Sequence, residues 1–192
     1  MTLMDLTTTA DVKTLLVMSG STHDTLIGEM VTDMSRRFGQ EMDRFLMAES
    51  QTEVFRARQG QRTLGVTAVP MSALTSIKVG ITRDFSGVTA LTSNSDFVID
   101  LTQGEIEFMF VMDGGFIEVV YTGGMAANAA AFKTAYPDIA RACSKQVAYE
   151  FERRNRPNSS TTVSGANKTY EDPLGLLSDV QRVLDMNRRR YW

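Results

Sequence analysis

The side chains that could perform acid–base, metal or nucleophilic chemistry are few in this sequence. His23 is the only histidine and Cys143 is the only cysteine. A histidine at a helix N-terminus could serve as a base or a metal ligand, but a metal site needs several such ligands. We therefore interpret His23 as an exposed residue of a first helical turn. We interpret Cys143 as a small core residue rather than as a nucleophile.

Two further patterns could carry chemistry, and neither is specific. Asp96 and Asp100 could pair as carboxylates, but acidic residues at strand ends are commonly turn and edge residues. The glycine pairs at 114–115 and 123–124 follow predicted strands, but they lack the lysine and hydroxyl residue of a phosphate-binding loop. The sequence therefore predicts no enzyme, no cofactor and no metal site.

The composition is that of a soluble globular protein with a sizeable core. The chain has 192 residues, of which 43% are hydrophobic and 22% are charged, and its net charge is −3. A protein held on DNA mainly by phosphate contacts is usually clearly basic. We find no signal-peptide pattern and no apolar run of roughly 18 residues, so we expect a protein made in the cytoplasm without a membrane span.

Arginines gather at two places, and the first is the end of a predicted helix. Arg153, Arg154 and Arg156 follow its apolar face. Cations are favoured at a helix C-terminus by roughly 0.3–1 kcal/mol. This position explains the three arginines without a partner, and binding to nucleic acid is the alternative.

The second arginine cluster is the segment Arg188–Trp192. Its three arginines precede Tyr191 and the only tryptophan of the sequence. Arginine, tyrosine and tryptophan are the residues enriched at interface hot spots. We predict that this segment docks on another protein. The alternatives are a frayed helix end and a nucleic-acid contact in which rings stack on bases and arginines meet phosphates.

Apolar residues at helical spacing predict four helices, near residues 9–19, 22–48, 137–156 and 173–188. The second helix has the clearest apolar stripe. Its members are Ile27, Met30, Val31, Met34, Phe38, Met42, Phe45 and Leu46.

Capping residues indicate where these helices begin and end. Gly20 is predicted to close the first helix, Pro173 is predicted to start the last one, and residues 1–8 are predicted to be a loose arm. The predicted N-terminal caps are, in chain order, Thr9 or Asp11, Ser21 or Asp24, and Asp172.

Between about residues 52 and 121 the apolar period changes to two. Segments such as "TSIKVGIT", "EIEFMFV" and "FIEVVY" alternate apolar and polar residues, which predicts six or seven short antiparallel strands in a small barrel or sandwich. Asp113-Gly114-Gly115 lies between two alternating runs and predicts a hairpin turn. The polar stretch 158–169 has no periodicity and is predicted to be a loop.

These elements predict an α+β fold, in which an antiparallel β insertion interrupts a small helical bundle and an extended C-terminal tail follows. The predicted domains are a helical bundle made of 1–50 and 122–186, a β insertion at 51–121, and a tail at 187–192.

The order of these parts resembles the head–tail connector, or adaptor, proteins of long-tailed double-stranded DNA phages and gene-transfer particles. The resemblance covers nearly the whole chain. The segments that carry it are "ADVKTLLVMSGSTHDTLIGEMVTDMSRRF", "SDFVIDLTQGEIEF", "IEVVYTGGMA", "YPDIARACSKQVAYEFERRNR" and "LLSDVQRVLDMNRRRYW". The β segment is longer than in the purely helical members of that family.

The resemblance implies a structural virion protein at the capsid–tail junction. Members of that family form a ring, usually twelve-fold, beneath the portal, with a central channel for DNA ejection. The implied partners are the portal protein, further copies of the chain (a dodecamer), and a neck or tail-completion protein. Packaged double-stranded DNA would be a transient partner, and no membrane contact is implied. The bundle would then be the ring-forming core.

The resemblance and the residue types together suggest two groups of contact residues. The portal-binding group comprises Leu184, Met186, Asn187, Arg188, Arg189, Arg190, Tyr191 and Trp192. The inter-subunit group comprises Met30, Met34, Arg37, Arg153 and Arg154. The small residues Ala140, Ala142 and Cys143 are a second candidate for inter-subunit contact.

Two alternative functions stay open at this point. One is a neck or tail-completion protein of the next layer, which the position of its gene would separate from an adaptor. The other is a nucleic-acid-binding accessory protein that uses Arg153–Arg156 and the C-terminal tail, and its affinity for duplex DNA would fall steeply with salt.

Overall fold

The computed structural model describes residues 4–155, 161–163, 166–168 and 175–189. The chain divides into two compact units. The β unit is Arg44–Asn128, and the helical unit is the described part of Thr2–Asp43 and Ala129–Trp192.

The described residues form five helices and eight strands, and the α+β fold class is confirmed. The helices are α1 (Thr9–Leu16), α2 (Asp24–Met42), α3 (Ala129–Ala135), α4 (Pro137–Asn155) and α5 (Ser178–Asn187). The strands are β1 (Glu49–Arg56), β2 (Thr63–Gly65), β3 (Met71–Gly80), β4 (Phe97–Asp100), β5 (Glu105–Phe108), β6 (Phe116–Gly123), β7 (Thr161–Val163) and β8 (Ala166–Lys168).

Helix α2 buries most of its predicted stripe but is shorter than predicted. Ile27, Val31, Phe38 and Met42 are buried along one face. The helix ends because Asp43 adopts the left-handed conformation and donates its N–H to the carbonyls of Gln40 and Gly39. The prediction that the helix continues to residue 48 is wrong, and Phe45 and Leu46 belong to the β unit instead.

Helix α1 also ends earlier than predicted. Thr8 caps it, and the side chains of Thr8 and Asp11 form a reciprocal capping box. Val17 takes the left-handed conformation at the C-terminus, so neither the predicted cap at Thr9 nor the predicted closure at Gly20 is correct. A β-branched residue is rare in this conformation, and the sequence gives no sign of it.

The predicted loose arm is ordered from Met4 onward. Leu6 is buried, and its N–H donates to the Ser35 hydroxyl at 2.9 Å. The Thr7 hydroxyl is buried against the Ser144 hydroxyl of α4. This segment therefore binds α2 and α4, because its polar groups have buried partners on both helices.

Helices α2 and α4 run antiparallel. The ring of His23, just before α2, meets Phe151 near the end of α4, with centroids 5.4 Å apart. Ser35, further along α2, lies beside Cys143, nearer the start of α4. The C-terminus of α2 therefore lies toward the N-terminus of α4.

Helix α5 packs on α4 and begins later than predicted. The Gln146 side chain of α4 accepts the Leu177 N–H at 2.9 Å and donates to the Gly175 carbonyl at 3.1 Å. This pair holds the chain in a non-helical conformation at residues 175–177, so α5 begins at Ser178. The predicted cap Asp172 and Pro173 lie outside the described residues.

Helix α3 was not predicted. Its sequence is AAAFKTA, and alanine has the highest helix propensity of all residues. Phe132 is its buried anchor. The helix lacks an apolar stripe of helical period, which is why pattern reasoning missed it.

The β unit contains two three-stranded antiparallel sheets, ordered β1-β6-β3 and β2-β5-β4. The inward-facing residues of both sheets form one apolar core. Its fully buried large side chains are Tyr121, Phe97, Phe108, Ile77, Ile106, Met112 and Ile117. The predicted antiparallel insertion is therefore present.

The hairpin predicted at Asp113-Gly114-Gly115 is wrong. Strand β5 before it and strand β6 after it belong to different sheets, so the segment is a crossover. The Gly115 carbonyl accepts the Ala57 N–H at 2.9 Å. A Cβ at Gly115 would lie 2.5 Å from the Gly80 carbonyl oxygen, so the glycine is required by close packing and not by a hairpin turn.

A buried tyrosine ties β6 to the β1 strand and to the segment before β3. The Tyr121 hydroxyl donates to the Glu53 carboxylate and accepts the Ala68 N–H at 2.8 Å. Glu53 in turn accepts the Thr67 hydroxyl at 2.9 Å. Burial and the contact with Glu53 raise the pKa of Tyr121 well above its usual range, so the phenol stays neutral and keeps its donor.

The polar stretch predicted to be a loop contains the strands β7 and β8. They pair as a short antiparallel hairpin from Thr161↔Lys168 to Val163↔Ala166. A three-residue strand is too short to show a period of two, so its sequence did not reveal it.

Replacing Tyr121 with phenylalanine should lower the free energy of unfolding by about 1–3 kcal/mol, because the Ala68 N–H and the Glu53 carboxylate lose a buried partner. Urea unfolding followed by circular dichroism measures this loss. The matched control is Tyr149→Phe: the Tyr149 hydroxyl is buried without a partner among the described residues, so its removal should change stability by less than about 0.5 kcal/mol. Equal losses in the two variants would contradict the role of the Tyr121 network.

The ion pair between Asp11 and Lys133, at 2.7 Å, should make a small, pH-dependent contribution to stability. The hydrogen bond from Lys133 is the main cause that holds the pKa of Asp11 below its usual 3.8, helped by Thr8. The ionised carboxylate therefore stabilises the fold above about pH 4, and this contribution is lost as the pH falls through the lowered pKa. Lys133→Met should lose less than about 1 kcal/mol at neutral pH, since both groups are partly exposed.

Urea unfolding of wild type and Lys133→Met between neutral pH and pH 2 tests this dependence. The difference between the two proteins should be constant at neutral pH and should shrink in acid. Lys133→Arg, which keeps the charge, is the control. A difference that persists at the acid end would show that Lys133 acts by packing and not through Asp11.

Candidate docking surfaces

The single histidine packs against an aromatic ring of α4. His23 precedes α2 and makes no side-chain cap hydrogen bond, and its ring lies edge-on to Phe151 at an interplanar angle of 71°. A cavity of about 200 Å³ opens beside it, but the Lys13 ammonium there is paired with Asp24 at 2.7 Å. The cavity is smaller than the roughly 300–1,000 Å³ of typical small-molecule sites.

The single cysteine is buried in the helical unit. Burial raises the pKa of the Cys143 thiol to about 12, so the thiol is not ionised at neutral pH. Its nearest polar partner is the Ser35 hydroxyl at 3.9 Å. Since the thiolate is the nucleophilic form, this environment is that of an inert core residue.

The two acidic strand-end residues hold turns. Asp96 accepts the Thr92 N–H at 2.7 Å, and Asp100 accepts the Thr102 N–H at 2.8 Å. Each carboxylate thus satisfies backbone donors at the end of a strand. Among the described residues no group of three or more His, Cys, Asp and Glu side chains could hold a metal ion. In the same part of the chain no helix is long and apolar enough to cross a membrane.

The predicted portal-binding residues differ in exposure. Leu184 is 1% exposed and belongs to the buried face of α5, whereas Met186 is 72% exposed. The Asn187 amide donates to the Val183 carbonyl at 2.9 Å and supports the end of the helix. Arg190, Tyr191 and Trp192 lie outside the described residues. Met186 is therefore the predicted apolar contact that reaches the surface in this helix.

The segment after α5 is bound to the C-terminus of α2. The Arg188 side chain donates from Nε to the Glu41 carbonyl at 3.0 Å, and its Nη2 lies 4.0 Å from the Glu41 carboxylate. The Arg189 N–H donates to the Met42 carbonyl at 2.9 Å. We call this set of contacts the α2 latch. It fixes the position of the chain at Arg188 and Arg189.

Sequence reasoning found the arginines of the α2 latch and missed Glu41. Glu41 is 147 positions from Arg188 in sequence. In the sequence, Glu41 is one of several polar residues on the exposed side of a predicted helix, so no sequence pattern distinguishes it. Only the packing of α5 against the rest of the helical unit brings the two together.

The predicted inter-subunit residues on α2 divide into buried and exposed members. Met34 is 5% exposed and lies in the core of the helical unit. Met30 is half-buried, and Arg37 reaches the Glu150 carboxylate of α4 at 4.0 Å. Of the three predicted inter-subunit residues on α2, Met30 and Arg37 are therefore the two whose side chains reach the surface.

The other predicted inter-subunit residues lie on α4. Arg153 and Arg154 occupy its last turn, where the partial negative charge of the helix end favours cations. The small residues Ala140, Ala142 and Cys143 are all buried within the helical unit. These three pack against their own chain and present no surface to a second copy.

Comparison with known proteins identifies relatives of this chain. A family model described as "HCP: Head completion protein" matches residues 5–190. A search of curated proteins finds no match.

Several solved structures share the fold. A chain in the neck of an empty gene transfer agent (GTA) particle computed with C6 symmetry has a TM-score of 0.60 and 14% identity, over 96% of this chain and 90% of that one. A chain in the virion of a native GTA particle has a TM-score of 0.59 and 16% identity, over 95% and 89%. A chain in the neck of a native GTA particle computed with C12 symmetry has a TM-score of 0.54 and 14% identity, over 100% and 97%.

Replacing Arg188 with alanine should release the segment after α5 and leave the fold intact. We expect faster amide exchange at Arg189 and faster proteolysis after α5, with a loss of unfolding free energy below about 1 kcal/mol because the ion pair is exposed. Hydrogen exchange with mass spectrometry measures the first effect, and limited proteolysis measures the second. Arg182→Ala is the matched control, since Arg182 is exposed on the preceding helix α5 and has no ion-pair partner among the described residues. Unchanged exchange in Arg188→Ala would show that the α2 latch does not hold the segment.

Proposed function

Because the chain belongs to the head completion protein family, we propose that it is the adaptor of a phage-like virion, forming a ring between the portal and the neck or tail. The observation that carries this proposal is the extent of the family match. It includes both units and the α2 latch, and it runs to residue 190. The role is structural, which agrees with a family of virion proteins.

The ring is proposed to be a dodecamer in which the helical unit takes part in the contacts between copies. The similar chains come from particles whose necks were computed with C6 and with C12 symmetry. A ring of twelve identical copies satisfies both symmetries, whereas a ring of six does not satisfy C12. The two descriptions together support twelve copies, with heterologous contacts between neighbours.

The C-terminal segment is proposed to bind the portal protein. The residues that follow the α2 latch are Arg190, Tyr191 and Trp192, which are residue types enriched in hot spots. The α2 latch supports this role because a segment held at its base loses less conformational freedom on binding.

The centre of the ring is proposed to pass packaged DNA without binding it tightly. Each tight phosphate contact adds salt-dependent affinity that would slow a moving duplex. The net charge of −3 supports weak contact with the polyanion.

A second candidate is a neck or tail-completion protein of the layer below. The descriptions of the similar chains favour it as much as an adaptor, since they name the neck and the virion but no layer. The two candidates differ in their immediate partner, which is the portal protein for an adaptor and another neck protein for the alternative.

Deleting Arg190–Trp192 should weaken portal binding by at least about thirtyfold, because hot-spot residues contribute about 2 kcal/mol or more each. The α2 latch stays intact in this variant. The measurement is co-purification with the portal protein of the same genome, followed by electron microscopy of the complex. Arg153→Ala with Arg154→Ala is the control, and it should still bind the portal.

A ring seated on the portal that is lost with the deletion would establish the adaptor role and the docking segment together. A deletion variant that binds as tightly as the full chain would disprove the docking segment. A full chain that binds a neck protein and not the portal would favour the layer below.

A further inference from the structure

Charge is unevenly distributed along the chain, and one stretch is entirely without positive charge. Residues 84–132 contain no lysine, arginine or histidine. The acidic residues of this stretch are Asp84, Asp96, Asp100, Glu105, Glu107, Asp113 and Glu118. The stretch includes β4, β5 and β6, so these three strands carry carboxylates and no cation.

The outer face of the β2-β5-β4 sheet collects these acidic residues. Glu107 is paired with Val98 on one side and Thr63 on the other, and Glu105 is paired with Asp100. These residues are exposed, while their neighbours along each strand, such as Ile106, are buried. We call the outer residues the acidic sheet face; they are Val98, Asp100, Glu105, Glu107 and Met109.

The carboxylates of the acidic sheet face are not neutralised by ion pairs in the part of the chain that the structure describes. None of Asp100, Glu105 and Glu107 has a lysine or arginine at ion-pair distance in the described part of the chain. Asp100 and Glu105 are directly opposite each other across two strands. Like charges in this arrangement destabilise a sheet. The sheet is therefore stabilised by the buried apolar side chains on its other face and not by its exposed residues.

Apolar side chains stand among these carboxylates. Val98 is 43% exposed, Met109 is 56% exposed, and Leu101 at the end of β4 is 41% exposed. Exposed apolar groups rimmed by polar residues are typical of protein–protein contact surfaces. A face that only repelled DNA would need the carboxylates and would gain nothing from the exposed valine, leucine and methionine.

Helices α4 and α5 of the helical unit carry exposed arginines. Lys145 of α4 pairs with Asp179 of α5, and α5 runs from Gln146 of α4 toward the C-terminus of α2. Because that end of α2 lies toward the start of α4, α4 and α5 are antiparallel. Arg141 is one turn before Lys145 in α4, and Arg182 is one turn after Asp179 in α5, so the antiparallel arrangement brings the two arginines to the same side.

The surface so formed combines free cations with an apolar group. Arg141 and Arg182 are exposed and have no ion-pair partner in the described part of the chain. Met186, one turn beyond Arg182, is 72% exposed. We call Arg141, Arg182 and Met186 the basic ridge. Its two cations and one methionine match the carboxylates and the apolar side chains of the acidic sheet face.

We propose that the acidic sheet face of one copy binds the basic ridge of a neighbouring copy of this chain. This contact rests on the proposed ring and specifies the surfaces that close it. The contact is heterologous, as a ring requires, because the two surfaces lie on different units of the chain. It also brings opposite charges to Asp100 and Glu105, which relieves the repulsion that each copy has alone.

Charge reversal on each side, and on both, tests the pairing. The variants are Glu105→Lys with Glu107→Lys, Arg141→Glu with Arg182→Glu, and all four together. Each double variant should weaken ring formation by at least about tenfold, and the fourfold variant should restore it. Sedimentation of the free protein and electron microscopy of the complex with the portal protein measure the ring.

The acidic-side variant has an internal check on folding. A lysine at 105 faces Asp100 across the strands, so the monomer should be as stable as wild type or more stable in urea unfolding. A loss of the ring in a protein of unchanged stability is then a surface effect. Asp5→Lys with Asp113→Lys, at two exposed positions, makes the same change of net charge and should leave the ring intact.

Three results would overturn the inference. If Glu105→Lys with Glu107→Lys forms rings normally, the acidic sheet face is not the contact, and the proposed adaptor function stands. If both double variants fail and the fourfold variant also fails, the two surfaces bind other partners. If the wild-type chain forms no ring even with the portal protein, the proposed function fails together with the inference.

Discussion

The C-terminus of α2 is the constraint on which the helical unit depends. A helix leaves its last four carbonyls without partners inside the helix. Here all four are satisfied from outside it: the Asp43 N–H serves Gly39 and Gln40, Arg188 serves Glu41, and the Arg189 N–H serves Met42. One helix end thus turns the chain toward the β unit and also binds the segment after α5. The positive charge of Arg188 further suits the negative end of the helix.

Amphipathic periodicity was enough to predict the long elements. It failed where the end of a helix or the pairing of a strand depends on residues distant in sequence. The apolar stripe of α2 and the alternation in β6 are clear signals because apolar residues recur at a constant spacing along the whole element. The end of α2 depends on a left-handed Asp43, which the sequence does not mark as a glycine would. Asp113-Gly114-Gly115 has the composition of a hairpin, yet the pairing of β5 with β2 and β4 makes it a crossover. Tertiary packing overrode the local preference at that point.

The candidate contact residues show the same limit. Arg188 could be singled out by its neighbours Tyr191 and Trp192, but Glu41 could not, because its role comes from a contact between distant helices. Leu184 and Met34 have the composition of contact residues and are buried in their own chain. An apolar side chain in an amphipathic helix does not reveal whether it faces its own core or a partner, so residue type alone over-predicts the interface.

The opposite charges of the acidic sheet face and the basic ridge bear on the symmetry of assembly. An isologous contact through the acidic sheet face would place Asp100, Glu105 and Glu107 against their own copies, in a site partly shielded from water, where repulsion is strongest. An isologous contact through Arg141 and Arg182 would be opposed in the same way. Only the contact between unlike surfaces is attractive, and repeating one heterologous contact generates a ring when its rotation closes. Surfaces of this kind oppose a two-fold dimer and favour cyclic symmetry.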